Sequence, residues 1–327
     1  MQLLIKLSKG IILSTIIMCC TVFVAFCQNR PQGVSPQTVI DTNSKAEVFA
    51  LGVVSTPFNE AVATFTPDGN TVYFYQGTIY STICFSKKVN GEWTKPGVVP
   101  FSGRWNDWDP FLSPDGKRLY FVSARPLDST SKVISRKSHL WYADHLEGDN
   151  WSAPHYINEP FNLDGISNYA PTISNSGTLC FYSPDRDTSS KRKSFYVKWM
   201  GTHYSEPKPL TLNGNNEVSD PFIAPDESYI IFVSGNDLYI SYRNGDDWSA
   251  GQKLGPQVNN GDSNFDPTVS PDGKTLYYAS ARVKGFYKRN QTGNALNYDE
   301  LTTEMQSIFN GRSNILMIHI NLPKAIH

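Results

Sequence analysis

Short runs of β-branched and aromatic residues recur along the chain. Val72-Tyr73-Phe74, Leu119-Tyr120-Phe121, Leu179-Cys180-Phe181, Ile230-Ile231-Phe232 and Leu276-Tyr277-Tyr278 each follow a polar turn. Apolar runs this short, bounded by turn residues, predict strands. The turns are variations on one phrase: Thr66-Pro67-Asp68-Gly69, Ser113-Pro114-Asp115-Gly116, Ser174-Asn175-Ser176-Gly177, Ala224-Pro225-Asp226-Glu227 and Ser270-Pro271-Asp272-Gly273. Their last positions are 69, 116, 177, 227 and 273, spaced 46 to 61 residues apart. A strand-and-turn unit repeating at roughly 40–50 residues is the period of propeller blades.

Each repeat has the same grammar. An inner strand such as Asp109-Pro110-Phe111-Leu112 leads to the turn, and a second strand such as Leu119–Val122 follows. A third, such as Leu140–Ala143, comes after a variable loop, and a hairpin with an aromatic residue opens the fourth. Asn90-Gly91-Glu92-Trp93, Thr202-His203-Tyr204 and Asn244-Gly245-Asp246-Asp247-Trp248 are those hairpins, and Asn-Gly suits the positive φ that such turns require. The regular placement of Trp93, Trp151, Tyr204 and Trp248 assigns them to blade packing rather than to sugar stacking. The last repeat ends after Ile315–Ile320 with no fourth strand, whereas Glu47–Val54 resembles the fourth strands elsewhere. The expected fold is therefore all-β, a five-bladed propeller of four-stranded antiparallel blades whose ring is closed by the N-terminal strand. Six blades is the alternative, should the long fifth repeat contain another.

Composition agrees with a strand-rich globular chain: of 327 residues, 13% are aromatic and 18% charged. A net charge of −1 offers no basic face for nucleic acid. Lys6 and Lys9 flank an apolar run from Ile11 to Phe26, which reads as a secretory signal ending at Ala25-Phe26-Cys27. Two alternatives stay open. Acylation at Cys27 would make a lipoprotein and the only membrane attachment, although Phe26 is large for the residue before such a cysteine; a retained anchor would need about 20 apolar residues. The expected organisation is a signal peptide over 1–27, a flexible linker over 28–45 and the propeller over 46–327, in a periplasmic or secreted, monomeric protein. Without the leader the charge is −3, and only Cys84 and Cys180 remain, read as buried thiols in different repeats.

Taken together, Asp-Pro, Ser-Pro-Asp-Gly-Lys-x-Leu-Tyr and Ser-x-Arg resemble the WD-repeat-like propellers typified by TolB, over about residues 46–322. More closely, the chain resembles exported propellers of Bacteroidetes-like bacteria, most of which have no assigned activity. It departs from the pattern in blade three, which lacks Pro-Asp, and in blade four, where Glu227 replaces glycine.

Strand order places the Pro-Asp-Gly and hairpin turns on one face and the variable loops on the other, where function is expected. Five positions before the turn proline stand Val62, Asp109, Ala170, Asp220 and Asp266; seven before it stand Glu60, Asp107, Asn168, Val218 and Asn264. Period-two spacing predicts both columns on the same side of each inner strand, towards the channel. Trp105, Trp108, Tyr169 and Phe265 are neighbours, and Arg125, Arg186 and Arg282 follow the second strands. These residues predict a polar funnel with aromatic walls, suited to sugars or peptides. The competing reading is that the repeating Asp109, Asp220, Asp266 and the arginines stitch blades together, which leaves Glu60, Asp107 and Trp108 as the ligand candidates.

Five-bladed hydrolases of the arabinanase type also arrange carboxylates around a channel, and Glu60 with Asp107, or Asp109 with Asp266, would supply the two acids of a glycosidase. The scattered histidines have no metal-type spacing, no cofactor motif is present, and Asn213–Glu217 and Asn259–Asp262 read as turns rather than calcium loops. Basic residues in the insertions, Lys132, Arg136, Lys137 and Lys191-Arg192-Lys193, read as solvated loops. Asn297 and Glu300 predict a capped helix whose stripe of Leu301, Met305, Ile308 and Phe309 packs on the rim. The function expected is binding of a protein, peptide or glycan through the channel face, without catalysis. The alternatives are a carbohydrate-active hydrolase, or a scaffold that docks through the 297–309 helix.

Overall fold

A computed structural model of the chain describes residues 39–41, 43–127, 130–158, 160–186, 193–212, 217–283 and 295–322. The segment expected to be a signal peptide, most of the expected linker, Lys191 and Arg192, and Asn213–Asn216 lie outside the described residues. The strands form five antiparallel sheets. Their innermost strands, Asn59–Phe65, Asp107–Leu112, Tyr169–Ile173, Ser219–Ile223 and Ser263–Val269, contact one another in a closed ring, blades I to V. The second strands are Thr71–Gly77, Arg118–Ser123, Leu179–Tyr182, Tyr229–Ser234 and Thr275–Val283. In blades I and IV the outermost position is split into two short pieces, Glu92–Trp93 with Gly97–Val98 and Asp247–Trp248 with Gln252–Lys253. Five blades, not six, is the architecture.

The recurring turn phrase has a local physical cause. Its first hydroxyl accepts from the backbone N–H that begins the second strand, as in Arg118 to Ser113 (3.0 Å) and Thr275 to Ser270 (2.9 Å). The same hydroxyl donates to the aspartate two residues on, and that carboxylate also accepts a backbone N–H, from Lys117 or Lys274 (both 3.1 Å). Serine or threonine, aspartate and a left-handed glycine therefore each close a different part of one turn. In blade IV the glycine position holds Glu227 at φ 59°. Its carboxylate accepts from Ser174 (2.8 Å) and Ser176 in the turn of blade III, and from Arg243 (3.0 Å). The two departures from the repeat are thus two halves of a single clasp between blades.

Each seam between neighbouring blades carries a polar tie, four of them directly between inner strands and one, at the fourth seam, from the inner strand of blade V to a loop of blade IV. Leu112 N–H donates to Thr64 (3.0 Å), Ala170 N–H to the Asp109 carboxylate (2.9 Å), and the Thr172 hydroxyl to the Pro221 carbonyl (2.7 Å). Asn264 N–H donates to the Asn236 carbonyl (3.1 Å), and the Thr268 hydroxyl to the Ala63 carbonyl (2.6 Å). The ring closes as expected: Glu47–Val48 pairs with the strand Asn310–His319, giving blade V its fourth strand from the other end of the chain. Next to it, Phe49 packs edge-on against Tyr277 of blade V (5.1 Å between ring centres), and against Trp93 (5.4 Å) and Phe65 (5.9 Å) of blade I. Trp151 against Tyr73 (5.7 Å) and Tyr204 against Phe161 (4.8 Å) fill equivalent packing positions. Cys84 and Cys180 are free, buried thiols.

Two expectations need correction. Val39 and Ile40, assigned to the flexible linker, are buried, and the Val39 carbonyl accepts the Asn321 N–H (2.7 Å). Their apolar side chains dock the end of the linker onto the body. The helix Tyr298–Met305 has the expected capping box between Asn297 and Glu300, but none of its residues is buried. Of the predicted stripe, Met305 is exposed and Leu301 half-buried, while Ile308 and Phe309, also half-buried, lie beyond the helix end, so the packing on the rim is only partial.

Phe49 closes the ring from a fully packed site, so Phe49→Ala should lower unfolding free energy by about 3–5 kcal/mol. Denaturant melts of the two proteins check this; a loss under about 1 kcal/mol would show that the closure does not depend on this ring.

Candidate functional site

Every inner strand contains the same irregularity. Pairing with the second strand slips between Ala61 and Thr64, Trp108 and Phe111, Tyr169 and Thr172, Ser219 and Phe222, and Phe265 and Thr268. At the slip stand Val62 (φ 59°), Asp109 (48°), Ala170 (46°), Asp220 (46°) and Asp266 (49°). These are β-bulges with a left-handed residue, a conformation that aspartate tolerates better than most side chains. In four of the five blades the next residue is proline (Pro110, Pro171, Pro221, Pro267), which leaves no N–H unpaired where the ladder breaks.

The bulge overturns the expectation that the two columns share one side of the strand, because alternation does not continue across a left-handed residue. Asp109, Asp220 and Asp266 line the central channel. Glu60, Asp107, Asn168 and Asn264 are instead buried in the blades. Glu60, Asp107 and Asn264 tie the loop that enters the blade to its second strand, and Asn168 ties the entry loop to the start of the inner strand. Glu60 accepts from Thr56 N–H (3.2 Å), the Thr56 hydroxyl and Gln76 (2.7 Å). Burial nevertheless raises its carboxyl above the usual range. Asp107 accepts from Ser102 (2.9 Å), Ser123 and Arg125 (2.8 Å). Asn168 donates to the Phe161 carbonyl (3.2 Å) and to Asn162 (3.0 Å). Asn264 donates to the Val258 carbonyl (3.1 Å) and accepts from Ser280 (2.8 Å).

The arginines complete these ties. Arg125 is buried over Phe121 and Trp141, with ring centres 4.9 and 5.2 Å from the guanidinium. Arg186 donates to the carbonyls of Pro160 (3.2 Å) and Phe161, and Arg282 pairs with Asp262 (2.8 Å). Each holds the loop that leads into its own blade.

The channel mouth on the loop face is a cavity of about 380 Å³. Its walls are Tyr75, Trp108, Tyr169, Tyr182 and Phe265, and its floor is the three aspartates. Below them the channel narrows to a neck of about 20 Å³ between the strand prolines. Burial, and then the charges of the other two aspartates, push Asp266 well above the ordinary carboxyl range. Burial together with the Asp220 charge pushes Asp109 up to about 7, against the lowering effect of the Ala170 N–H. The Tyr75 hydroxyl is raised by burial and by the same three acids. Trp108, Tyr169 and Phe265 were legible from sequence, whereas Tyr75 and Tyr182 were not. They occupy the second strands opposite Ala61 and Tyr169, and that pairing is the signal that would have found them. Among the described residues no group of His, Cys, Asp or Glu is arranged to hold a metal ion, and no helix is long and apolar enough to cross a membrane.

Two substitutions separate the columns. The folded protein retains protons on Asp109 and Asp266 that the unfolded chain releases near pH 4, so their contribution is greatest below that pH and is lost as pH rises, through about 7 for Asp109 and above the ordinary carboxyl range for Asp266. Asp266→Asn keeps a residue tolerant of the left-handed position. It should flatten this decline and raise stability at pH 8 by on the order of 1–2 kcal/mol, measured by denaturant melts across pH. An unchanged slope would contradict it. Asp107→Ala strands the Arg125 charge in the interior and should cost about 3–5 kcal/mol in the same melts; a neutral effect would return Asp107 to the ligand candidates.

No family model matches the chain, and no curated protein matches it in sequence. Among solved structures it is similar to TolB from Acinetobacter baumannii, at 14% identity and a TM-score of 0.44 over 80% of this chain and 54% of that one. The chain thus spans about half the length of that protein. It is similar to a protein of unknown function from Dyadobacter fermentans, at 13% identity and a TM-score of 0.48 over 85% and 98% of the two chains. The GH43 endo-arabinanase from Bacillus licheniformis matches at 14% identity and a TM-score of 0.48 over 80% and 94%. The resemblance is one of fold: the chain is a five-bladed β-propeller, and TolB is among its structural neighbours.

Proposed function

We propose that this protein is an exported binding module that takes a projecting group of a protein, peptide or glycan partner into the channel mouth, without chemical turnover. One observation carries this reading. The widened end of the channel joins aromatic walls to a floor of three carboxyl groups, the combination of apolar surface and a few convergent polar groups that defines ligand pockets. The remaining polar side chains of the predicted funnel are engaged in holding loops, which leaves Asp109, Asp220 and Asp266 with Trp108 and its aromatic neighbours as the recognition surface.

A second reading has its own support. The upward shift of Asp109 and Asp266 in one channel would provide the protonated acid that a glycosidase needs beside a carboxylate. Against it, the acids open on one side to a neck of about 20 Å³. That holds about one water molecule and no sugar ring. Substrate would have to react entirely from the mouth.

Retention of a partner by immobilised protein, from periplasmic extract or a glycan array, is expected to fall by about tenfold or more in Trp108→Ala. Thermal melts confirm that the variant is folded. Retention equal to the parent's would move the site away from the channel. Hydrolysis of an oligosaccharide by the parent, abolished in Asp109→Asn, would overturn the binding-only reading.

A further inference from the structure

We propose that the group received in the channel is the primary ammonium of a lysine side chain, presented by a polypeptide whose apolar residues rest on the loops of blades V, I and II. This rests on the binding function proposed above and names the chemistry of its ligand.

The first support is an unmet electrostatic demand. Asp266 is only 9% exposed. The influences on its carboxyl are burial and the charges of Asp109 and Asp220, with no hydrogen bond among them. Asp109 accepts one backbone N–H, from Ala170. Three acids facing one another in a channel are costly to ionise together, and a single positive charge among them removes the repulsion and supplies donors. Geometry selects the cation. No group of acidic or ligating side chains among the described residues is arranged to hold a metal ion. Calcium and magnesium need oxygen atoms within about 2.0–2.6 Å. An ammonium is satisfied at hydrogen-bond distances of about 2.7–3.2 Å, and its donors would supply the hydrogen bonds that Asp266 lacks and Asp109 has room for. The neck beside the acids, about 20 Å³, has room for a group the size of one water molecule. An ammonium is that size, whereas a planar guanidinium is larger.

The second support is the path to the acids. The mouth above them is walled by Tyr75, Trp108, Tyr169 and Phe265. A four-carbon lysine stem buries its methylenes against such rings while its charged end reaches polar groups beyond. A free metal ion has no use for that apolar wall.

The third support is the surface around the mouth. Phe58, Ile79, Tyr80, Val133, Tyr298 and Met305 are all exposed, and strand order puts all six on the loop face. Ile79 and Tyr80 stand on a tight loop that requires Gly77, since a Cβ there would collide with the Tyr80 carbonyl. Asn310 donates to the carbonyls of Pro57 (2.9 Å) and Met305 (3.0 Å), which joins the end of the helix to the segment bearing Phe58. Apolar side chains held outward around an acidic opening complement a polypeptide in which lysine is flanked by apolar residues.

The test uses blocked seven-residue peptides with a central lysine flanked by mixed Leu, Phe, Val and Ser. Matched pools carry norleucine or arginine at the centre, and neutral oligosaccharides form a separate arm. Affinity selection by the intact protein, read by mass spectrometry, should retain the lysine pool about tenfold or more over the norleucine pool, with arginine below lysine. Asp266→Asn, confirmed as folded by its melt, should remove most of that preference. Equal retention of the lysine and norleucine pools, or a preference unchanged by Asp266→Asn, would overturn the ammonium assignment. If that retention, or retention of an oligosaccharide, is lost in Trp108→Ala, channel binding itself survives with a different ligand chemistry. Failure to retain any pool or oligosaccharide would count against both readings.

Discussion

One residue in each inner strand stands in the left-handed region, with φ between 46° and 59°, and the rest of the molecule is arranged around that fact. A residue preceding proline is normally extended, yet Asp109, Ala170, Asp220 and Asp266 all precede proline and are not. Strained backbone of this kind persists only where its surroundings over-determine it. Here the surroundings are the neighbouring blades. The ties from Thr64, Asp109, Thr172, Asn264 and Thr268 hold each inner strand against the neighbouring blade, and Phe49 locks the two ends of the chain together. Because the bulge occurs in all five blades, it belongs to the architecture. What is particular to this chain is that three of the five positions are acidic.

That arrangement divides the polar residues of the inner strands into two populations. Those before the bulge are consumed by structure: Glu60, Asp107 and Asn264 each bridge an entry loop to a second strand, and Asn168 holds the entry loop of its blade, assisted by Arg125, Arg186 and Arg282. Those at the bulge face the channel, where Asp109 accepts a single backbone N–H and no hydrogen bond offsets the burial of Asp266. Burial makes Asp109 and Asp266 reluctant to ionise, and a ligand able to supply positive charge would relieve that cost. The same three side chains therefore link stability, pH response and recognition.

Much of the fold was legible in the sequence, since the turn phrase, the hairpin turns and the aromatic residues all act locally. The five blades and the closing strand followed from the spacing of residues 69 to 273 and from the missing fourth strand after Ile320. The assignment of Asp107 and Asp109 to one surface did not follow, because period-two reasoning has no means of registering a bulge. The Asp-Pro step repeated at 109, 220 and 266 was its only trace. Tyr75 and Tyr182 were hidden for a related reason, as they reach the mouth by cross-strand pairing rather than by sequence proximity to the acids. The role of Glu227 was equally invisible, since an apparent defect in one turn is explained by an apparent defect in another.

The central claim is that the inner-strand bulges bring Asp109, Asp220 and Asp266 together in a poorly solvated channel. The most direct measurement is a titration of the aspartate carboxyl carbons by nuclear magnetic resonance, assigned with the single Asn variants at 109, 220 and 266. The account requires the channel carboxyls to titrate as a coupled set, with at least one midpoint near the value of about 7 expected for Asp109. Removing any one acid should lower the midpoints of the others. Three independent titrations near pH 4, each unaffected by the other substitutions, would contradict it.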